Sequence, residues 1–301
     1  MCGIIGLLAK RPAVRQQLGA MMVPMLLGMT ERGPDSAGLA VFSDAVPAGT
    51  TKLSVFAGND APRPFDWTQL ASHLDQQHQI VVSVRANGQH AILNTVHDAN
   101  EVAATIRAIA PGIHVLSMGR QIDLYKDTGT PAQVADRYAF NRLTGSHLIG
   151  HTRMATESAV TPDRAHPFTA GRDFCLVHNG SLSNSCSMRR MLEPHGIHFE
   201  TDNDTEAACR FLEWRLREGD ELEAALQHGF AALDGFYTFL MGTPDRMALI
   251  RDAFACKPAV VAETDDYVAV ASEFRSLAHL PDIAHAHIFE PAPETMYVWK
   301  V

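Results

Sequence analysis

The chain opens on an unbroken apolar run over residues 3–9, which reads as a buried strand. Apolar positions Val14, Leu18, Met21, Met22, Met25, Leu26 and Met29 follow at helical spacing and predict a helix over 13–30, kinked at Pro24. A methionine stripe of this kind is core before it is a binding surface. Arg32–Gly38 reads as a loop from its Gly and Pro content. Leu39–Phe42 and Lys52–Phe56 read as strands joined by a turn, and 57–66 as a linker. Between 67 and 145 the pattern is weaker. It predicts strands at Ile80–Val84, Ile113–Ser117 and Ile122–Tyr125 and helices at Glu101–Ile109 and Pro131–Arg142, with no chemical constellation among them.

From residue 147 the pattern sharpens. His147–His151 and Phe174–Val177 read as strands. The first leads into the polar stretch after Arg153 and the second ends at His178-Asn179-Gly180. Helices are predicted over Ser183–Glu193, from an Asn203 N-cap to about Arg217, and over Glu221–Leu233. Strands then dominate: Phe236–Met241, Met247–Arg251, Ala259–Glu263, Tyr267–Ser272 and Met296–Val301, with a helical turn at Arg275–His279. Strand pairs on short turns, flanked by helices, predict an α+β fold of antiparallel sheets covered by helices.

Composition narrows the function. The chain has 301 residues, 46% hydrophobic and 20% charged, which fits a globular protein with ample core. A formal charge of -9 argues against nucleic acid or an anionic membrane as partner. No apolar run reaches the ~18 residues that span a bilayer, and no basic, then apolar leader opens the chain. A cytoplasmic location is therefore expected. The five cysteines form no C-x-x-C pair, so no metal or cofactor is expected on this chain.

Candidate chemistry begins at Cys2. With Met1 removed, Cys2 would carry a thiol and a free α-amino group. Such groups ordinarily titrate near ~8.5 and ~8, so the amine can act as base for the thiol. Buried inert cysteine is the ordinary alternative. Arg153, past a strand end, can clamp a carboxylate with two hydrogen bonds or can be a surface arginine. Asn179-Gly180 can be a turn, or can supply an amide side chain and a backbone N–H to an oxyanion. Asp204, at a helix start, is favoured there by the dipole and can also receive an ammonium group. Arg32 with Asp35-Ser36 can be a loop ion pair. Together, a carboxylate clamp, an ammonium acceptor, an oxyanion hole and a thiol describe a site for a free amino acid attacked at a side-chain carbonyl, the shape of glutamine.

In order along the chain, Cys2-Gly3-Ile4, Arg32-Gly33-Pro34-Asp35-Ser36-Ala37-Gly38, Gly150-His151-Thr152-Arg153, His166-Pro167, His178-Asn179-Gly180 and Asp204-Thr205-Glu206 resemble the class II glutamine amidotransferases, which are N-terminal-nucleophile hydrolases. Arg251-Asp252, Lys257-Pro258 and Ala271-Ser272-Glu273 fit that family's closing strands. The resemblance implies a four-layer αββα sandwich occupying residues 1–301 as a single domain, with a family-variable elaboration at about 67–145. It implies Cys2 as nucleophile and Asn179 and Gly180 as the oxyanion hole. Arg153 would bind the glutamine α-carboxylate and Asp204 the α-ammonium. Arg32 would support the nucleophile's surroundings, and Thr156 would line the pocket. Met154 stands where sugar-amidating relatives often carry Trp, and Glu157 where they place His or Gly.

Nothing in the chain resembles an ATP-pyrophosphatase loop, a phosphoribosyl-diphosphate loop or a sugar isomerase. The resemblance is nearest to the stand-alone glutaminase-type subunit of the glutamate synthase and N-methylglutamate synthase group. It implies a hetero-oligomer in which a synthase subunit accepts ammonia and any flavin or iron–sulfur cluster lies on partner subunits. A non-catalytic, glutamine-binding regulatory or scaffold subunit is the alternative, and a different amide hydrolase using the same thiol is a third reading.

Overall fold

The computed structural model describes residues 2–58, 61–155 and 160–301. In chain order the elements are β1 (Gly3–Ala9), α1 (Pro12–Arg15), α2 (Leu18–Leu27), β2 (Ser36–Phe42), β3 (Thr51–Ala57), α3 (Trp67–His78), β4 (Ser83–Asn87), β5 (His90–Thr95), α4 (Ala99–Ile109), β6 (Ile113–Gly119), β7 (Ile122–Thr128) and α5 (Pro131–Arg137). They continue with β8 (His147–Arg153), β9 (Phe168–Thr169), β10 (Cys175–Leu182), α6 (Ser185–Leu192), α7 (Asp204–Arg217), α8 (Leu222–Ala232), β11 (Gly235–Thr243), β12 (Arg246–Arg251), β13 (Val260–Glu263), β14 (Tyr267–Ala271), β15 (His287–Phe289) and β16 (Tyr297–Lys300).

Two antiparallel sheets carry the architecture, one ordered β15-β13-β14-β1-β8-β2-β7 and the other β16-β12-β11-β10-β9. Alternation along each strand gives both sheets two apolar faces. The inner faces meet each other: Ile4, Leu8, Ala40, Phe42, Leu124 and Ile149 pack against Cys175, Val177, Leu240, Met247 and Leu249. The outer face of the larger sheet, with Ile5, Leu7, Leu39 and Val41, is covered by Met22, Met25 and Leu26 of α2 and Val134 of α5. The outer face of the smaller sheet, with Leu176, Phe239, Met241 and Ile250, is covered by Met188, Leu212 and Leu226 of α6–α8. The layers are therefore helix, sheet, sheet, helix.

A third, four-stranded sheet, β4-β5-β3-β6, has its own core of Leu53, Val55, Trp67, Leu74, Leu93, Val102 and Ile106 beneath α3 and α4. It joins the sandwich along β7. Asp123 of β7 pairs with Lys52 of β3 at 2.8 Å and with Arg85 of β4. The outer edge of β7 is closed by side chains. Leu124 N–H donates to Ser54 Oγ (2.9 Å), Ile122 N–H to Asp173 Oδ1 (2.9 Å), and the Lys126 carbonyl meets His90 Nε2 at 3.1 Å.

Several expectations shift. The helix expected over 13–30 is two helices, with Pro24 inside α2 rather than at a break. Helix α3 was hidden by its Gln/His-rich sequence; Asp66 caps it by accepting from Thr68 and Gln69 N–H, and Trp67, Leu70 and Leu74 are its buried stripe. Strand β5 follows the Asn87-Gly88 turn, with Gly88 at φ +60°. The stretch expected as an elaboration at 67–145 divides: β4–β6 with α3 and α4 join the earlier β3 in the third sheet and its cover, whereas β7 and α5 belong to the sandwich. No helix among the described residues is long and apolar enough to cross a membrane.

Candidate active site

Alternation decides which side chains face the space between the two sheets. On β1, Ile4 and Leu8 point inward, so Cys2, two positions before Ile4, lies on the same side. The same parity turns Ser36 inward on β2, His151 and Arg153 on β8, and Asn179 on β10. Register aligns them. Gly3 faces Thr152 and Ser36 faces Arg153, so Cys2, Arg153 and Ser36 lie side by side at one end of the larger sheet. Across the cleft His151 Nε2 lies 3.0 Å from the His178 carbonyl, which ties β8 to β10 beside Asn179.

Cys2 is half-buried, with Sγ 3.9 Å from the Met154 carbonyl. Its own carbonyl accepts from Arg32 Nε at 2.9 Å, and Arg32 Nη1 donates to Glu273 at 2.8 Å. The Arg32 hydrogen bond in turn lowers the Glu273 carboxyl. Ser272 clamps the strand two residues further on: its Oγ accepts Ile4 N–H and its N–H donates to the Ile4 carbonyl, both at 3.0 Å. The ion pair anticipated between Arg32 and Asp35 is not what forms. Asp35 instead builds the turn after Arg153, donating its N–H to the Arg153 carbonyl (3.1 Å) and accepting Ala155 N–H (2.8 Å). Gly33 lets this loop lie against β8, since a Cβ there would stand 2.3 Å from the Thr152 carbonyl carbon and 2.5 Å from Arg153 N.

Asn179 and Gly180 are not a turn. They continue β10, facing Thr238 and Tyr237 of β11, because this pairing overrides the turn preference of Asn-Gly. Asn179 is buried, and its Nδ2 has no protein partner among the described residues. Gly180 has φ +154°, and a Cβ would stand 1.9 Å from the Phe236 carbonyl oxygen.

Asp204 is the first residue of α7, behind an Asn203 cap that accepts Thr205 N–H at 2.9 Å. Glu206 does not close a capping box on Asn203; it accepts from Glu200 and Thr201 N–H instead. Asp204 Oδ2 accepts Leu182 N–H at 2.9 Å, which fixes the carboxylate two residues beyond Gly180. Burial alone would raise this carboxyl, but the nearby His178 and the backbone donors of Leu182 and Thr205 outweigh it and hold it at about 2. A carboxylate so held is ionised at neutral pH and suits an ammonium group.

Behind these residues lies a buried group of three histidines, far apart in the sequence and with no motif to join them. His166 and His178 both contact Thr205 Oγ1, at 2.9 and 3.0 Å, and His151 stacks on His166 with ring centroids 4.1 Å apart. Burial pushes His151 down to about 3 and His166 well below its usual range. Lys126 holds the His166 loop by donating to the Ala165 and Asp163 carbonyls at 2.8 and 3.2 Å. Its ammonium is lowered to about 8 by burial. Beyond Lys126 a cavity of about 210 Å³, lined by Phe168, Glu206 and Arg210, reaches none of the predicted site residues. Thr156, expected in the pocket, and Glu157 lie outside the described residues.

The chain resembles known proteins over its whole length. Residues 151–279 match the family model described as glutamine amidotransferase domain. The glutamine amidotransferase-like protein GlxB of Rhizobium meliloti is 45% identical over 300 residues, covering 99% of this chain and 98% of that protein. A glutamine–fructose-6-phosphate aminotransferase of Shewanella oneidensis is 33% identical over 126 residues, covering 42% of this chain and 20% of that one. In structure, the glutamine phosphoribosylpyrophosphate amidotransferase of B. subtilis superposes with a TM-score of 0.62 at 19% identity, over 99% of this chain and 47% of that one. The chain belongs to the class II glutamine amidotransferases, an enzyme family with the N-terminal-nucleophile hydrolase fold.

Proposed function

We propose that this protein hydrolyses the side-chain amide of glutamine at Cys2 and passes the ammonia to a partner synthase subunit in the cytoplasm. The observation that carries the reading is the buried Nδ2 of Asn179, unpartnered among the described residues and facing the same inter-sheet cleft as Cys2 and Arg153. A desolvated donor costs free energy in the resting protein, and an oxyanion formed beside it recovers that cost.

In this reading the α-amine of Cys2, freed by loss of Met1, takes the thiol proton. The thiolate attacks the amide carbon, and the oxyanion is received by Asn179 Nδ2 and the Gly180 N–H. The amine returns its proton to the departing nitrogen, which leaves as ammonia. Water then hydrolyses the thioester to glutamate. Arg153 holds the α-carboxylate and Asp204 the α-ammonium. Arg32 acts from behind, fixing the Cys2 carbonyl and so the direction of the thiol.

The acceptor is assigned to a subunit of the glutamate synthase or N-methylglutamate synthase type, and any flavin or iron–sulfur cluster to that subunit. In the longer relatives the matched region is under half of the chain. Exposed Phe236, on the strand next to Gly180, and Phe254, in the turn after β12, are in ring contact at 5.6 Å and offer an apolar rim for that association.

Glutamate release from glutamine tests the chemistry. The active protein should begin at Cys2 by mass spectrometry, and Cys2→Ala should abolish release while leaving the circular dichroism spectrum unchanged. Turnover by that variant would refute the nucleophile. Glutamine binding without hydrolysis, alone and in the native complex, would favour the regulatory alternative.

A further inference from the structure

We propose that Thr205, held by His166 and His178, is the positioning residue that aims the Asp204 carboxylate at the α-ammonium of the substrate. The inference rests on the glutamine reading above and adds to it the device that orients one of its binding groups.

Thr205 Oγ1 has three polar neighbours: His166 Nε2 at 2.9 Å, His178 Nδ1 at 3.0 Å and Asp204 Oδ1 at 3.3 Å. A hydroxyl carries one proton and two acceptor lone pairs. An ionised carboxylate can only accept, so the hydroxyl proton goes to Asp204. Both imidazoles must then donate to Thr205. This fixes His166 as the Nε2–H tautomer and His178 as the Nδ1–H tautomer. The remaining nitrogens, His166 Nδ1 and His178 Nε2, are buried without protein partners among the described residues, so neither competes with Thr205 for its ring. His178 Nδ1 also lies 3.7 Å from Asp204 Oδ1, on the side where its proton must be.

The rings cannot easily turn. His151 stacks on His166 and meets the His178 carbonyl with Nε2, so it links both rings to β8. His178 packs against Phe239 at 4.8 Å between centroids. The hydroxyl is therefore held from one side by two donors and can give its proton in one direction only. With Oδ1 taken by Thr205 and Oδ2 by Leu182 N–H, the Asp204 carboxylate has one fixed orientation, and its side chain is 26% exposed. Thr205 itself is buried and is placed to act only through Asp204.

The test is binding measured by calorimetry in the Cys2→Ala protein, with two probes. One is glutamine. The other is 4-carbamoylbutanoate, which keeps the carboxylate and amide but lacks the ammonium. Thr205→Val, close in shape but without the hydroxyl, should weaken glutamine about tenfold, as expected for a lost hydrogen bond to a charged group. It should leave the analogue unchanged. Thr205→Ser should bind both probes as the parent does. Adding Thr205→Val to Asp204→Asn should cost nothing further. Equal losses for both probes, no loss for glutamine, or additive effects with Asp204→Asn would overturn the inference while leaving the glutamine reading intact. Failure of the Cys2→Ala parent to bind glutamine would overturn that reading and this inference with it.

Discussion

Asn179→Leu is the substitution whose effects on activity and stability should part company. Leucine has nearly the shape of asparagine and no polar atoms. In the resting protein Asn179 Nδ2 is buried without a partner among the described residues, and a desolvated, unsatisfied donor costs about 1–3 kcal/mol. Removing it should therefore hold or raise stability, less whatever the neighbours Val177 and Thr238 lose in packing. Catalysis should move the other way. Loss of one oxyanion donor typically costs about 10²–10³ in kcat, or roughly 3–4 kcal/mol. The expected result is a glutaminase with kcat down by that factor, a nearly unchanged KM and an unfolding midpoint in urea equal to or above that of the parent. Glutamate release at saturating glutamine and equilibrium denaturation are the two assays. An activity loss that tracks an equal loss of stability would show that Asn179 is merely structural. Undiminished kcat would remove it from the oxyanion site altogether.

Other perturbations have equally defined outcomes. Gly180→Ala puts a Cβ 1.9 Å from the Phe236 carbonyl oxygen at φ +154° and should lower stability by about 2 kcal/mol or more, with loss of activity. Arg153→Lys keeps the charge but not the planar fork, and should raise KM for glutamine about tenfold while changing kcat less. Asp123→Ala leaves the buried Lys52 ammonium without its carboxylate and should cost about 3–5 kcal/mol in chemical denaturation without touching glutamine binding. Burial holds His90 at about 4 and His147 and His151 at about 3, against ~6.5 in the unfolded chain. As pH falls below ~6.5 the unfolded chain takes up these protons first. The stability present at higher pH should thus be lost from ~6.5 down to about 4 for His90 and about 3 for His147 and His151, at about 1.4 kcal/mol per pH unit for each histidine, or about 4 where all three contribute. Urea midpoints measured across that range check it.

Local signals were legible wherever chemistry and secondary structure coincide within a few residues. The strand that follows Cys2, the Asn203 cap and the helix that Asp204 opens follow from patterns a few residues long. What could not be read is what depends on distant pairing. Glu273 lies 241 residues from the Arg32 it binds, and Ser272 lies 268 from Ile4. Asn179-Gly180 has the composition of a turn and becomes strand only because β11 runs beside it. His151, His166 and His178 look unremarkable singly, since 15 histidines are scattered along the chain. Their meaning comes from meeting at Thr205. The periodicity pointed to antiparallel sheets under helices, whereas the order of four layers came from resemblance, because no local pattern says which faces of two sheets will meet.

The closed outer edge of β7 bears on how this protein can associate. An edge strand with free N–H and C=O groups invites another chain to extend the sheet. Here those groups are occupied by Ser54, Asp173 and His90, drawn from three separate places in the chain. Two of the three come from the third sheet, so that small sheet works as a stopper at one end of the large one. Growth of the large sheet by strand addition is blocked at that end, and at the other it meets only the three residues of β15. A partner that meets the large sheet is thereby directed to side-chain surfaces, where affinity depends on shape and can be specific, rather than to a backbone edge that any extended chain can match.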